Sequence, residues 1–334
     1  MSAEDQTPNG SAHTNGTGSK PSTPQSSKSG WDGKLRVNKQ AVLANPEALS
    51  DPDYSDEDAP PVEQIDADED LLEGEEPETE HIELPSTCSS ALVELELYDN
   101  LIKHIDGLED FTELRSLDLS YNKLKHIKNV STLKKLDHIY FVQNRISAIE
   151  NLEQLTELVY LELGANRIKE IAGIETLTKL QSLWLGQNKI SELKNLSTLT
   201  SLRTLSIQAN RLTSLSGIET LPQLTELYVS DNRIPSLEPL AQNTKLEILD
   251  FQSNPISSLT GLENLTELEN IWASSCEIED FQEIERVLRD KKKLEEVYFE
   301  GNPVQKSGPV LYRNKVRLAL PQVSKIDAAY VKVG

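Results

Sequence analysis

From Leu92 onward, two patterns of apolar residues follow one another in turn along the chain. Leu95 and Leu97 alternate with polar neighbours, and this period of two predicts a short strand with one buried face. A second stripe follows at a spacing of three residues, which suits short 3₁₀ or α turns. In the first unit this stripe consists of Ile102, Ile105, Leu108 and Phe111. Each unit therefore predicts a strand followed by a turn.

The strand and turn pattern recurs every 22 residues, with an asparagine after each strand. Eight asparagines keep this spacing: Asn100, Asn122, Asn144, Asn166, Asn188, Asn210, Asn232 and Asn254. Cys276 takes the ninth place, and Asn302 follows after a four-residue insertion placed around 286–290. An Asn side chain at this point can bond backbone groups that a bending coil leaves unpaired. Ten units follow from this count.

A single unit of this kind cannot bury its own apolar face, so the units must stack on one another. The repeat is that of a leucine-rich-repeat protein. It predicts an α/β solenoid, a right-handed horseshoe of about ten repeats with a parallel β-sheet on the concave side and short 3₁₀ or α turns on the convex side. Parallel strands about 4.8 Å apart give a concave sheet roughly 45 Å long.

The chain divides into an acidic N-terminal region, residues 1–80, and a repeat domain, residues 81–334. The first region holds 19 Asp and Glu against 5 Lys and Arg and has few apolar positions, which predicts disorder. An amphipathic helix starting near Tyr312, within 303–334, is expected to cover the last coil. Nothing before Leu92 has the pattern of an N-terminal cap, so the first repeat strand is expected to be an open edge.

Composition excludes several classes of function. The net charge of −22 leaves no basic stripe for nucleic acid, and no apolar run is long enough to span a membrane. Two cysteines, Cys88 and Cys276, argue against a disulfide framework and for a reducing compartment. His104 and His126 occupy equivalent places without a third ligand, and Lys291–Lys293 is expected to be a solvated loop. No cofactor or metal is predicted.

The candidate site is the column of residues four places before each asparagine, which the strand pattern places on the concave face. Among its ten positions are five aromatic residues and four carboxylates. Exposed aromatics in line are typical of interface anchors, and carboxylates beside them favour Arg or Lys on a partner. The residues predicted to bind a partner are Asp118, Tyr140, Glu162, Trp184, Tyr228, Asp250, Trp272 and Tyr298.

Flanking residues are expected to form a polar rim: His138, Tyr160, Glu226 and Glu296 on one side, and Tyr98, Gln208, Gln252 and Glu300 on the other. Two alternatives to partner binding stay open. The aromatics could simply suit strands and pack sideways on one another. Asp118 and Glu162, about 10 Å apart across two coils, loosely resemble a pair of catalytic carboxylates, although an open sheet offers no water-excluding pocket. No catalytic motif is present, so the chain is predicted not to be an enzyme.

The repeat unit and the ending VYFEGNPVQ…YRNKVRLALPQVSKIDAAYV resemble the leucine-rich-repeat regulatory subunits of type-1 serine/threonine protein phosphatase, the regulatory subunit 7 family. The resemblance covers about 91–334. It implies a regulator, in nucleus and cytoplasm, that binds the phosphatase catalytic subunit through the concave face. It also implies roles in phosphatase maturation, activity or localisation and in mitosis, and a ternary complex with a small inhibitor subunit. The resemblance implies that seven residues of the column correspond to the family's contact residues: Asp118, Tyr140, Glu162, Trp184, Asp250, Trp272 and Tyr298. A further acid of the family, two residues before Trp272, is replaced by Asn270 here.

An alternative is a scaffold for another intracellular partner, such as a cytoskeletal or ciliary protein, because the repeat subtype is shared with such proteins. The sequence does not determine whether binding activates, inhibits or chaperones the phosphatase, nor the substrates downstream. It also leaves open the role of the acidic region. Family members usually start the solenoid one or two repeats earlier, which raises the question of missing first repeats.

Overall fold

Short parallel strands, one from each repeat, form the frame of the molecule. The computed structural model describes residues 34–36, for the backbone only, and residues 91–331. The strands are β1 (Lys34–Arg36), β2 (Glu94–Glu96), β3 (Ser116–Asp118), β4 (His138–Tyr140), β5 (Tyr160–Glu162), β6 (Ser182–Trp184), β7 (Thr204–Ser206), β8 (Glu226–Tyr228), β9 (Ile248–Asp250), β10 (Asn270–Trp272), β11 (Glu296–Tyr298), β12 (Lys325–Ile326) and β13 (Ala329–Tyr330).

These strands form one sheet in chain order, parallel throughout except for the antiparallel pair β12–β13. Neighbouring repeat strands pair at equivalent positions, as Leu95 with Leu117 and Asp118 with Tyr140. The middle residue of each repeat strand is buried, and in most of them the two outer residues are partly exposed on the concave face. The predicted solenoid with a parallel concave sheet is confirmed, and its register places equivalent residues in columns.

The first repeat strand is not an open edge, and the expectation that it would be is wrong. β1 pairs in parallel with β2, so that Lys34 lies opposite Glu94, Leu35 opposite Leu95 and Arg36 opposite Glu96. An edge strand presents unpaired backbone groups, and an added strand removes them. The rest of residues 1–80 lies outside the described residues, where disorder stays a prediction.

The convex side is built from tight turns and short helices. Two 3₁₀ helices span Ile218–Thr220 and Glu238–Gln242, and one α-helix, α1, spans Phe281–Leu288. α1 occupies the coil with the four-residue insertion, because a two-turn helix needs more residues than the turns of other coils. The Asp280 side chain accepts a hydrogen bond from the Gln282 N–H and so caps the helix.

The repeated asparagines form a continuous ladder, here called the asparagine ladder. The Asn188 amide donates to the carbonyls of Leu163 at 2.9 Å and Leu185 at 3.1 Å, while its oxygen accepts from the Ile168 N–H at 2.9 Å. The same pattern recurs in coil after coil. Cys276 keeps one part of it, because its thiol donates to the Phe251 carbonyl at 3.4 Å. Each coil is thus tied to the preceding one through its interior.

A second column of asparagines and glycines on the convex side was not predicted. Asn129, Asn151 and Asn195 have positive φ, and each donates to a carbonyl of the preceding coil at 2.6–2.7 Å. Gly217 occupies the same place with φ 104°, and a Cβ there would lie 2.4 Å from the Leu193 carbonyl oxygen. The position therefore accepts residues that tolerate left-handed backbone.

Lys291 is buried, so the prediction of a solvated loop is wrong for this residue. Its ammonium donates to the carbonyls of Leu262 at 2.6 Å and Leu265 at 3.0 Å, and it is 3% exposed. The Leu262 carbonyl also accepts from the Leu265 N–H at 3.1 Å, whereas the Glu263 and Leu265 carbonyls have no backbone donor among the described residues, so the ammonium supplies theirs. Burial lowers the pKa of Lys291. Lys293 is exposed and pairs with Glu267 at 2.6 Å, as a solvated residue does.

The C-terminal cap consists of α2 (Pro303–Lys306), α3 (Pro309–Ala319), β12 and β13. Tyr312, Val316 and Ala319 recur at helical spacing and are buried in the core. The helix begins at Pro309, three residues before the predicted Tyr312, because proline suits the first turn of a helix. Asp327 accepts from the backbone N–H groups of Phe299 at 2.9 Å and Glu300 at 3.1 Å.

Candidate functional site

The eight residues predicted to bind a partner lie in one column on the concave face. Each is the third residue of its strand, and the register pairs them coil by coil: Asp118 with Tyr140, Tyr140 with Glu162, and Glu162 with Trp184. Ser206 interrupts the column between Trp184 and Tyr228. The strand period alone was sufficient to place these residues together, because every strand has the same length and register.

Aromatic rings form a continuous line along this face. Successive ring centroids lie 5.1–6.4 Å apart, within the range of favourable aromatic pairs. The members of this line, here called the aromatic row, are Tyr140, Tyr160, Trp184, Tyr228, Trp272 and Tyr298. His138 stacks on Tyr160 at 5.6 Å and extends the row at one end. The sideways packing considered as an alternative to partner binding is therefore present.

The row crosses coils that carry no aromatic residue. Trp184 and Tyr228 are two coils apart, yet their ring centroids are 5.9 Å apart, so the rings lean over Ser206. Tyr228 and Trp272 likewise close over Asp250, with centroids 6.1 Å apart. Ser206 is fully buried as a result and Asp250 is only 7% exposed. Asp250 is thus more enclosed than a partner-orienting carboxylate needs to be.

Tyr160 belongs to the aromatic row and not to the polar rim in which it was predicted. It lies two residues before Glu162, and its hydroxyl donates to the Glu162 carboxylate at 3.0 Å. Tyr228 makes the mirrored arrangement, donating to Glu226 at 3.2 Å. The pattern of an aromatic residue two places from a carboxylate was visible in the sequence. It fixes both the ring and the acid on the concave face.

Burial shifts the titration of the acids and phenols in the site. Burial raises the pKa of Glu162, against the lowering effect of the Tyr160 hydroxyl. Burial also raises the pKa of Asp250, whose carboxylate accepts from the Ser230 hydroxyl and from the Gln252 backbone N–H at 3.2 Å. Burial and then the Glu226 charge raise the pKa of Tyr228 to about 12. The phenols therefore stay protonated at neutral pH and act as donors.

The two tryptophans of the row hold buried polar atoms without partners. The indole Nε1 atoms of Trp184 and Trp272 are shielded from solvent, and neither has a hydrogen-bond partner among residues 91–331. Leaving a buried donor unpaired costs roughly 1–3 kcal/mol. Sideways packing explains the ring contacts, but it gives no reason for two unsatisfied donors. Buried polar groups of this kind are often found where a structure serves another purpose than stability.

From β2 to β11 the charge of the concave face is of one sign. The first and third residues of β2–β11 give twenty positions, which hold seven carboxylates and no Lys or Arg. About one residue in ten of the whole chain is Lys or Arg. A protein surface that presents aromatics and acids together is suited to a partner with exposed cations.

Other kinds of site are not apparent in the described part of the chain. Residues 91–331 contain no cluster of His, Cys, Asp and Glu that could hold a metal ion. The described helices all lack the length and apolar content that crossing a bilayer requires. His126 contacts Glu150 at 3.0 Å, an exposed pair. Burial raises the pKa of the Cys276 thiol to about 11, so this cysteine is a poor nucleophile.

The repeat, the sheet and the asparagine ladder together define a leucine-rich-repeat fold. A family model described as "Leucine Rich repeats (2 copies)" matches residues 156–198, 178–220, 200–242 and 222–264. An internalin C2 from Listeria monocytogenes has a similar structure, with a TM-score of 0.55 and 25% identity over 57% of this chain and 84% of that protein. A leucine-rich-repeat protein from Leptospira interrogans, 23% identical with a TM-score of 0.55, shares the fold over 72% of this chain and 74% of its own.

Short segments of the chain are similar to regulatory subunits of protein phosphatase 1. Subunit SDS22 of Schizosaccharomyces pombe is 62% identical over 55 residues, 16% of this chain and 17% of the relative. SDS22 of Saccharomyces cerevisiae is 56% identical over 43 residues, 13% of each. Regulatory subunit 7 of Mus musculus is 53% identical over 45 residues, 14% of this chain and 12% of its own.

The matched segments thus span less than a fifth of the curated relatives. The resemblance to the phosphatase regulatory subunits, predicted from the repeat and the C-terminal ending, is confirmed over these segments. The relatives are named as regulatory subunits, in agreement with the prediction of a non-catalytic protein.

Proposed function

We propose that this chain is a non-catalytic regulatory subunit that binds the catalytic subunit of type-1 protein phosphatase through its concave face. The names of its relatives support the identity of the partner. The aromatic row supports the choice of face, and it is the observation that carries the proposal. An extended line of aromatics with unsatisfied donors is suited to close contact with another protein.

The rings of the row serve as anchors. Trp and Tyr are the residues most often found to dominate interface energetics, because they bury a large area with few rotatable bonds. Trp184 and Trp272 lie four coils apart, about 19 Å at the strand spacing. Two anchors at that separation fix both the position and the direction of a partner domain. Both indole nitrogens are shielded from solvent, so a partner acceptor would reach either N–H only where the ring turns on binding, and would then recover a hydrogen bond that the free protein lacks.

The carboxylates of the face set the orientation. Asp118 and Glu162 flank Tyr140 in neighbouring coils, and the Asp118 carboxylate accepts from the Ser120 N–H at 2.8 Å. Such held acids pair well with Arg or Lys of a partner and speed its approach at low salt. Because the outer positions of β2–β11 carry acids and no Lys or Arg, a partner with an acidic surface is disfavoured on this part of the face.

The finer functions rest on the resemblance alone. We infer that binding controls the maturation, activity or localisation of the phosphatase, including in mitosis, and that a small inhibitor subunit joins a ternary complex. We place the protein in the nucleus and cytoplasm. Imaging of the tagged full chain through the cell cycle, with parallel purification of its complexes, tests these points. A chain confined to another compartment contradicts them.

The central experiment is calorimetric titration of the full chain with type-1 phosphatase catalytic subunit. Replacing both Trp184 and Trp272 by Ala is expected to weaken binding by about 2 kcal/mol or more per anchor. Tyr121→Ala is the matched control, because Tyr121 is an aromatic outside the row that is 40% exposed. The control is expected to bind like the parent.

Two outcomes contradict the proposal. If the folded parent chain does not bind the phosphatase, the phosphatase is not its partner. If the double variant binds as tightly as the parent, the aromatic row is not the binding site. Circular dichroism of each variant shows whether the solenoid is intact, so that loss of binding is not confused with loss of fold.

A further inference from the structure

The C-terminal cap differs in charge from the rest of the molecule. Residues 302–326 hold five Lys and Arg and no Asp or Glu, in a chain with a net charge of −22. The five cations are Lys306, Arg313, Lys315, Arg317 and Lys325. A basic patch on an otherwise acidic protein is a local attraction for anionic groups.

Helix α3 turns apolar side chains outward beside these cations. Val310 is 89% exposed, Leu311 is 58% exposed and Leu318 is 71% exposed, whereas the opposite side of the helix is buried. Leu311 and Leu318 are seven residues apart, so they lie on one side of the helix. We call this exposed surface, formed by Val310, Leu311, Lys315, Arg317 and Leu318 together with Lys306, the cap face.

The cations of the cap face are largely uncommitted. Lys306 and Arg317 have no ion-pair partner among residues 91–331. Lys315 lies over the Phe281 ring at 5.1 Å, an exposed contact that leaves its charge accessible. Apolar groups flanked by free cations favour an occupant that is itself both acidic and apolar.

The chain contains a segment of that chemistry. Residues 51–80 hold fifteen Asp and Glu and no Lys or Arg, and four aliphatic residues are interspersed, Val62, Ile65, Leu71 and Leu72. We propose that this acidic segment docks in the same molecule on the cap face, with its aliphatic residues against α3 and its carboxylates near Lys306 and Arg317. The concave face is excluded as its site, because that face is acidic too.

The length of chain is sufficient for this contact. The acidic segment is joined to β1 at Arg36 and to the first coil at Ala91, both at the other end of the sheet. From β2 to β11 there are nine strand spacings, about 43 Å. The 26 residues from Arg36 to Val62 reach about 88 Å when extended, and the 19 from Leu72 to Ala91 reach about 65 Å.

The contact is expected to be weak and sensitive to salt. Both flanking linkers must stretch beyond their average span, which lowers the effective concentration of the segment. Exposed charges more than about 10 Å apart are screened at moderate ionic strength. The docked state would place the acidic segment away from the concave face and leave the aromatic row open.

Zero-length carbodiimide cross-linking of the full chain, followed by mass spectrometry, tests the contact. Carboxylates of residues 51–80 are expected to link to Lys306 and Lys315 at low salt and much less at high salt. Lys123 and Lys125 are the reference, because both are exposed and lie near Ala91, where a merely tethered segment spends more time. Links to these two residues in place of the cap lysines overturn the proposal.

Two further measurements decide the occupant. In an equal mixture of light and nitrogen-15-labelled chains, links within one copy are expected, and links between copies would instead identify a second molecule as the source. Arg317→Glu, which removes no cross-linking lysine, is expected to reduce the cap links by about fivefold. Leu311→Ser/Leu318→Ser should reduce them as well, with the melting temperature unchanged because both side chains are exposed. Unchanged yields in both variants contradict the docking.

Discussion

Two rows of side chains run along the solenoid. The asparagine ladder lies inside the coils, and the aromatic row lies on the concave face from Tyr140 to Tyr298. In the asparagine ladder each amide from Asn122 onward meets carbonyls of its own coil and of the preceding coil, as Asn166 does with Leu163 and Phe141. In the aromatic row the indole N–H groups of Trp184 and Trp272 have no hydrogen-bond partner among residues 91–331, and Glu162 beside the row is partly buried with a raised pKa. The ladder has one member in each coil, whereas the row passes over the coils of Ser206 and Asp250.

The difference lies in what each row contributes. The ladder satisfies buried backbone groups, which stabilises every coil boundary. The row leaves donors and charges unsatisfied in the free protein, at a cost in stability of the kind found at functional sites. Substitutions in the ladder are therefore expected to lower the free energy of unfolding and to spare binding. Substitutions of unsatisfied polar groups on the concave face are expected to weaken binding and to leave the free energy of unfolding unchanged or higher.

The largest effect is expected from Asn188→Ala in the middle of the ladder. The change leaves the Ile168 N–H without its side-chain acceptor, while the Leu163 and Leu185 carbonyls each lose one of two asparagine donors. The free energy of unfolding is expected to fall by about 4 kcal/mol, since an unpaired buried N–H costs about 1–3 kcal/mol and each of the two lost hydrogen bonds to the carbonyls about 1 kcal/mol. Urea unfolding of the full chain measures it.

Asn188→Cys is the matched control, because cysteine occupies the equivalent place at Cys276. It is expected to lose less than the alanine variant, since a thiol still donates weakly. Equal losses in the two variants would show that the side-chain hydrogen bonds are not what stabilises the coil boundary.

The second effect is Lys291→Met, which keeps the length of the side chain and removes the donor. The Leu265 carbonyl loses its partner and the Leu262 carbonyl loses one of two, since it still accepts from the Leu265 N–H, while the cost of burying a charge is relieved. The expected net loss is about 2 kcal/mol in unfolding free energy. Lys293→Met, at an exposed position two residues on, is expected to change stability by less than about 0.5 kcal/mol. A stable Lys291→Met variant would mean that desolvation outweighs the hydrogen bonds.

The repeat allowed most of the fold to be predicted. Asn122 and its equivalents set the period, so strand positions, register and the concave column followed from counting. The burial of Lys291 could not be predicted. It depends on how the insertion folds and brings the ammonium to the carbonyls of Leu262 and Leu265 in the preceding coil. β1 was missed as well. Its three residues lie far before the first coil in the sequence, and a local pattern carries no information on a contact between such distant segments.

The candidate site was only half predictable. The column of Trp184 and its equivalents followed from the register, whereas the closure of rings over Ser206 and Asp250 did not. The rings meet because they are large enough to reach across two coils, and the positions of the residues in the repeat do not show in which direction the rings lean. Tyr160 was assigned to the rim for the same reason, although its ring spans the gap between Tyr140 and Trp184.

A smaller effect, in the stabilising direction, is expected from Cys276→Asn. The thiol makes only a long hydrogen bond to Phe251 and one of 3.7 Å to Ser274. An amide at this place can donate to the same carbonyls at normal distances, and we expect a gain of about 1 kcal/mol in unfolding free energy. Cys276→Ser, whose side chain is shorter than that of Asn, is the comparison and should gain less. A loss of stability would show that the turn around Ser274 has no space for the amide.

The smallest effect, and the one that separates the two rows most directly, is expected from Glu162→Gln. Burial raises the pKa of Glu162 above its ordinary value near 4.5, so the folded state binds this proton more tightly than the unfolded chain. Keeping the group ionised at neutral pH therefore costs stability, and the cost disappears as the pH falls through the raised pKa. The variant is expected to be more stable than the parent at neutral pH by up to about 0.5 kcal/mol, and equally stable below pH about 4.

The same substitution is expected to weaken phosphatase binding, because it removes a charge offered to cations of the partner. Unfolding curves across this pH range, beside titrations at neutral pH, measure both properties in one variant. Asp110→Asn, at an exposed convex position, is the control and should change neither. A variant that is less stable and binds as tightly as the parent would place Glu162 with the asparagine ladder, as a residue that supports the fold. A gain in stability with a loss of affinity would mean that the concave face gives up stability in order to bind.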